Sequence, residues 1–141
     1  MMTLEEFRAK AGFDIDNFIR NVKDDLGLKK VRVKWDNPTA RAMSQYIGDT
    51  LEIHLPDIDT ILSQKPELSE AEAKAKLKSA VIEETCHGIY HETDHTKEVV
   101  GCTIREMEKQ MSQEELNFPY IKEKIERLKK ASEQVGFTPL H

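Results

Sequence analysis

Glu83-Glu84-Thr85-Cys86-His87-Gly88-Ile89-Tyr90-His91-Glu92-Thr93-Asp94-His95 is the stretch on which the reading of this chain turns. Three of the five histidines fall here at a strict spacing of four, behind a pair of glutamates. Residues four apart lie on one helix face, and at ~100° per residue each step of four turns the side chain only about 40°. If the helix runs through all of them, Glu83, His87, His91 and His95 climb one slowly rotating ridge, and adjacent members can share a cation. Imidazole nitrogen and carboxylate oxygen are the usual donors to zinc, and to iron, nickel and manganese in suitable geometry. One histidine on a polar face is a solvated side chain; three in register behind Glu-Glu point to a metal site.

Working outward, Ser69-Glu70-Ala71-Glu72 is a capping box that launches this helix, which also carries Leu77, Ala80 and Val81. Gly88 inside it costs about 1 kcal/mol relative to alanine, which points to a close approach by another element. Upstream the period changes from helical to two. Val31, Val33 and Trp35 alternate with Lys30, Arg32 and Lys34 in a half-buried strand, and Asp36-Asn37-Pro38 is a turn. Ala40 to Ile47 is a weaker strand, Gly48-Asp49 a tight turn, and Thr50 to Leu55 a third strand with Leu51, Ile53 and Leu55 on one face. Asp57 to Gln64 reads as a brief helix. At the start, Thr3-Leu4-Glu5-Glu6 caps a short helix stopped near Gly12, and Phe13 to Leu26 is a second, closed by Gly27. After a break near Glu92 to Asp94 come a helix from Lys97 to Met111, a turn at Ser112 to Glu115, and a terminal helix from Pro119 to Val135, stopped at Gly136. The predicted fold is α+β in one domain over 1–141. N-terminal helices (1–27) precede a small three-stranded sheet (29–55), which packs on a long metal-site helix (69–95); C-terminal helices (97–136) complete it.

Composition excludes several classes. A net charge of −5 argues against duplex nucleic acid, which wants a basic surface. No apolar run approaches the ~20 residues that cross a membrane, and Met1-Met2-Thr3-Leu4-Glu5-Glu6 lacks a hydrophobic signal region. Cys86 and Cys102 read as small apolar core residues in a reducing compartment, so the expected location is cytoplasmic. Cys86 points about 100° away from His87 and is not expected to share its metal.

Glu83-Glu84-x-x-His87 resembles the zinc-metallopeptidase signature His-Glu-x-x-His, with Glu83 in place of the first histidine. In that signature two histidines hold zinc and the glutamate is general base for the water that zinc activates. The order of elements over about 29–110 looks like the minimal zincin fold, a strand meander followed by the motif-bearing helix. The resemblance makes Thr50 to Leu55 the edge strand that pairs with an extended peptide substrate or protein partner in the cleft. His54 on that strand points to solvent or into the cleft. His91 is similar to the last residue of His-Glu-x-x-His-x-x-x-His in small intracellular proteases that cleave phage-type repressors. In those proteins the third ligand is a glutamate on the next helix, for which Glu98 is the best match and Glu106 the alternative.

The resemblance thus implies a Zn2+-dependent peptidase with Glu84 as general base and ligands drawn from His87, His91, His95, Glu83 and Glu98. Its damaged first position matters. Glu83 and Glu98 together would place two negative charges on the metal, so that it polarises its water less and that water's pKa rises, unless the site has moved to His87, His91 and His95. The alternative function is a catalytically impaired zincin-fold module for metal or protein binding. A ferritin-like di-iron protein, suggested by Glu84-x-x-His87, ranks last, because that fold needs a second Glu-x-x-His and has no sheet.

Overall fold

In the computed structural model, which describes residues 15–136, the chain runs helix, three strands, five helices. The elements are α1 (Ile15–Leu26), β1 (Val31–Lys34), β2 (Met43–Ile47), β3 (Thr50–His54), α2 (Ile58–Gln64), α3 (Glu70–Tyr90), α4 (Lys97–Gln110), α5 (Gln113–Leu116) and α6 (Pro119–Gly136). The expected α+β architecture, a small sheet on a long helix with further helices after it, is the observed one. The Thr3 capping box with its helix to Gly12, Phe13 and His141 lie outside the described residues. Among the described residues no helix is long and apolar enough to cross a membrane.

The helix boundaries follow from local chemistry. Ser69 Oγ accepts from the Glu72 amide while the Glu72 carboxylate accepts from the Ser69 amide, so the α3 capping box is closed on both sides. Ser112 and Glu115 repeat the device at α5, Asp57 caps α2, and Thr96 caps α4. Gly27 ends α1 at φ 79°, where a side chain would be strained.

The sheet departs from the expected meander. Its order is β1-β3-β2, with β1 parallel and β2 antiparallel to β3. The β2–β3 hairpin turns at Gly48 (φ 63°) and folds back so that β3 inserts between its two predecessors. Thr50–His54 is therefore the central strand, not an edge. Its burial explains why: Leu51 and Ile53 are enclosed by the helices while Glu52, on the other face, is also covered. The edge that borders the cleft is β2. It alternates half-buried Ser44 and Tyr46 with outward Met43, Gln45 and Ile47, and its exposed apolar ends hide the usual strand pattern.

Helix α3 is the central element, touching α1, α2, α4, α6, β2 and β3. Ala73, Leu77, Val81, Ile82 and Cys86 carry its share of the core, with Ile15, Val22, Leu51, Ile53, Val99, Met107 and Ile121 packed around them; Val31 and Val33 add partly buried area. Gly88 is where α3 meets β3. A Cβ there would stand 2.5 Å from Leu51 Cδ2 and 3.1 Å from Cδ1, and Leu51 is too buried to swing aside. Overpacking costs ~1–3 kcal/mol, against about 1 kcal/mol gained in helix propensity. Gly88→Ala is thus expected to lower the urea midpoint; an unchanged or raised midpoint would show that Leu51 has room to move.

Cys86 and Cys102 form a disulfide, with Cα atoms 5.9 Å apart, joining α3 to α4. This corrects the reading of two separate core thiols and removes the argument from them to a reducing compartment. Both sulfurs are buried as expected. What spacing did not reveal is that the two helices pack side by side, so that both cysteines meet between them.

On the sheet's outer face His54 lies between two carboxylates, with Nδ1 2.7 Å from Asp36 and Nε2 2.9 Å from Glu52. It points away from the cleft. Asp36 lifts the imidazole above its usual range, against a lowering by burial and with further help from Glu52. Burial alone would raise Glu52, but the His54 hydrogen bond and the Lys34 charge hold it below the usual carboxylate range. A raised histidine stabilises fully below its unfolded value of about 6.5 and loses that contribution as pH climbs through the folded value. The lowered Glu52 contributes above its unfolded value of about 4.3 and loses its share as pH falls. His54→Gln is therefore expected to cost most stability between those two values and to converge on wild type towards alkaline pH. Parallel melting-temperature profiles for the two proteins would contradict this.

Candidate metal centre

Helix α3 places Glu83 and His87 one turn apart on its cleft side, with His87 Nε2 3.7 Å from Glu83 Oε2. His95 Nε2 reaches the same carboxylate oxygen at 2.7 Å. One donor atom from each of Glu83, His87 and His95 lies within 4.8 Å of the others, and among the described residues this is the one such grouping of His, Cys, Asp and Glu.

His95 does not arrive by the ridge the spacing suggested. Helix α3 ends at Tyr90, and His91 takes a left-handed conformation (φ 48°, ψ 43°). Residues 87 and 92 clasp each other twice. The Glu92 amide donates to the His87 carbonyl (3.1 Å), and His87 Nδ1 donates to the Glu92 carbonyl (2.7 Å). The chain reverses there and returns His95 to the cluster, its ring tilted against that of His87 at 5.1 Å between centroids. The clasp also has a chemical consequence. A carbonyl only accepts, so Nδ1 carries the proton and Nε2 is the nitrogen presented to the cluster, an orientation typical of metal-binding histidines.

The other candidate ligands lie elsewhere. His91 is turned aside by its left-handed backbone, and its ring stacks on Tyr46 at 4.6 Å. Glu98 is exposed in the first turn of α4, away from the cleft. Glu106 is buried near Asp25 of α1 and accepts from Gln110. The cluster therefore contains one carboxylate, not two.

That carboxylate is itself supported. Lys124 Nζ, from α6, donates to Glu83 Oε1 and to Ser79 Oγ, both at 2.9 Å. Burial alone would raise Glu83, but the nearby His87 imidazole, the His95 hydrogen bond and the Lys124 charge hold it far below the usual carboxylate range. His87 would be lowered by burial, yet the Glu83 carboxylate and the Glu92 carbonyl raise it overall. Glu84 is different. Burial lifts it above the ordinary range and the Glu83 charge adds to this, against the Ser44 hydroxyl, which donates to Oε1 at 2.6 Å. Two neighbouring glutamates thus divide roles: Glu83 stays ionised, and Glu84 is the more basic of the pair.

Ser44, Glu83, Glu84, His87, His95 and Lys124 line a cleft of about 1070 Å³ between β2 and α6. Tyr46 closes its inner edge by donating to the Gly88 carbonyl at 2.9 Å. Ser44, Tyr46, Ser79 and Lys124 were missed by sequence reasoning. A signal existed for Lys124, since it holds an inward position three residues after buried Ile121 and four before buried Leu128. Comparisons with protein-family models, with curated proteins and with solved structures found no match to this chain.

Proposed function

We propose that this chain is a zincin-like, divalent-metal-dependent hydrolase of peptides, with Zn2+ held by Glu83, His87 and His95 and with Glu84 as general base. The observation that carries the reading is the convergence of two imidazoles and one carboxylate on one point beside a more basic carboxylate, in an open cleft. The donor set fits the ion. Tetrahedral zinc with bonds of 2.0–2.2 Å places its donors about 3.3–3.6 Å apart. The 3.7 Å pair is near that already, and loss of the proton between His95 and Glu83 releases the 2.7 Å pair to open. Two histidines and a glutamate are a known catalytic zinc set.

Bound there, the cation would act as a Lewis acid toward a substrate carbonyl and toward water. The protein's own groups supply the rest. The free edge of β2 can pair with an extended peptide, and Glu84 takes the proton of the attacking water. Lys124 offsets the charge of Glu83, so that the ligand set with its lysine carries the formal charge of a neutral-histidine site. A second, non-catalytic reading as a metal-binding module is favoured by one observation: both Glu83 and Glu84 already have hydrogen-bond partners in the protein. Cleavage of a broad peptide library by zinc-loaded protein, suppressed by a chelator, separates the two. Stoichiometric zinc without cleavage would leave only the module.

A further inference from the structure

We propose that the end of the cleft between α3 and α6 is an anion subsite for the carboxylate of an acidic peptide lying across the metal centre, which rests on the peptide-hydrolase reading and names its substrate class. Lys76 is the key residue. It stands seven residues before Glu83 on α3, so it shares that face of the helix about 10 Å along the axis, and it lines the same cleft. It is only 6% exposed. Its ammonium sits over the Tyr120 ring, 5.1 Å from the centroid, and among the described residues it forms no ion pair with a carboxylate.

Lysine is almost never this buried unless paired. Here no carboxylate offsets the charge: Tyr120 favours it in part, while the neighbouring cations oppose it. Lys124, 7% exposed and paired with Glu83, lines the same cleft, as do Lys65 and Arg127. Lys65 and Lys124 both push against the positive charge of Lys76, which burial already disfavours. Glu67 and Glu123 also border the cleft, but both are exposed and neither pairs with Lys76. A buried ammonium facing a cavity, next to a phenol and other cations, is a receptor for an anion. A carboxylate entering it would gain charge-assisted hydrogen bonds from Lys76 and the Tyr120 hydroxyl. The ~10 Å to Glu83 is the span of about three extended residues, which sets how far the acid lies from the bond at the metal centre.

The test uses the full chain, metal-free and zinc-loaded, with three short alanine-based probes: one with a free C-terminal carboxylate, its C-terminal amide, and an amidated peptide with one internal glutamate. Calorimetric titration is expected to show one acidic probe binding at least about tenfold tighter than the neutral amide, as for a hydrogen bond to a charged group. Which acidic probe wins identifies a chain terminus or a side chain as the source. Lys76→Met is expected to abolish the preference and to raise thermal stability, because it removes a buried charge that no carboxylate offsets. Lys76→Arg, which keeps the charge, should retain the preference and guards against a folding artefact. Equal binding of all three probes to wild type, or a preference that survives in Lys76→Met, would overturn the subsite. Acid preference without any zinc binding would instead overturn the metal reading, so the two failures are distinct.

Discussion

Zinc is expected to bind the wild-type chain in one equivalent and to be lost from His95→Ala and His87→Ala, while His91→Ala retains it. The three histidines are equivalent in the sequence but not in the fold. His87 and His95 both reach Glu83, whereas His91 is turned onto Tyr46. Loss of a supporting hydrogen bond to a ligand costs about 10–100-fold in metal affinity, so loss of a ligand from a set of three should exceed that. His91→Ala should change affinity by less than about tenfold, or 1.4 kcal/mol. His95→Ala is the cleaner of the two disruptive variants, because His87 also clasps the loop that returns His95 and its loss disturbs two ligands. Equilibrium dialysis with elemental analysis at neutral pH reads all four proteins. A folded wild type that retains no zinc, or a His91→Ala variant that loses as much as His95→Ala, would refute this ligand set.

That series also shows where reading the sequence reached its limit. The period switch between Val31–Trp35 and the helix after Ser69 was legible because burial on one face imposes a period on each element. The order β1-β3-β2 was not, since strand pairing is a long-range choice that alternation within each strand does not encode. The edge strand β2 was the weakest of the three for a physical reason: Met43 and Ile47 are apolar but face outward, so its pattern runs against burial. Spacing pointed to His87 and His95, whose side chains do meet at Glu83, but by the wrong route. It extended a helix that ends at Tyr90, and the turn that brings His95 back depends on the His87–Glu92 clasp. Lys124 was out of reach for a different reason. Its partner Glu83 lies on another helix, and only an inward lysine between Ile121 and Leu128 hinted at it. The disulfide was equally hidden, because a buried apolar thiol and a half-cystine look the same in sequence.

Glu84→Gln is expected to reduce zinc-dependent peptide cleavage by ~10²–10⁴-fold while zinc stays bound, the range typical of general-base catalysis. The amide keeps the shape of the side chain and can still accept from Ser44, so the loss would be one of basicity, not of structure. Retained zinc with lost turnover is the signature; a variant that loses both would mean that Glu84 holds the site together, and one that loses neither would remove it from the mechanism. The altered first position invites the complementary change, and here the lysine governs the outcome. Glu83→His alone would supply the first histidine of the His-Glu-x-x-His signature that this stretch resembles, but it would leave Lys124 buried without its carboxylate, a break that costs roughly 3–5 kcal/mol. It should therefore destabilise the fold instead of strengthening the site. Glu83→His combined with Lys124→Met removes the orphaned charge along with the carboxylate, and this double variant is expected to bind zinc and to melt above the single one. If the single variant is as stable as wild type, Lys124 is not the counter-charge that makes a glutamate acceptable at this position, and the site tolerates Glu83 for some reason other than that ion pair.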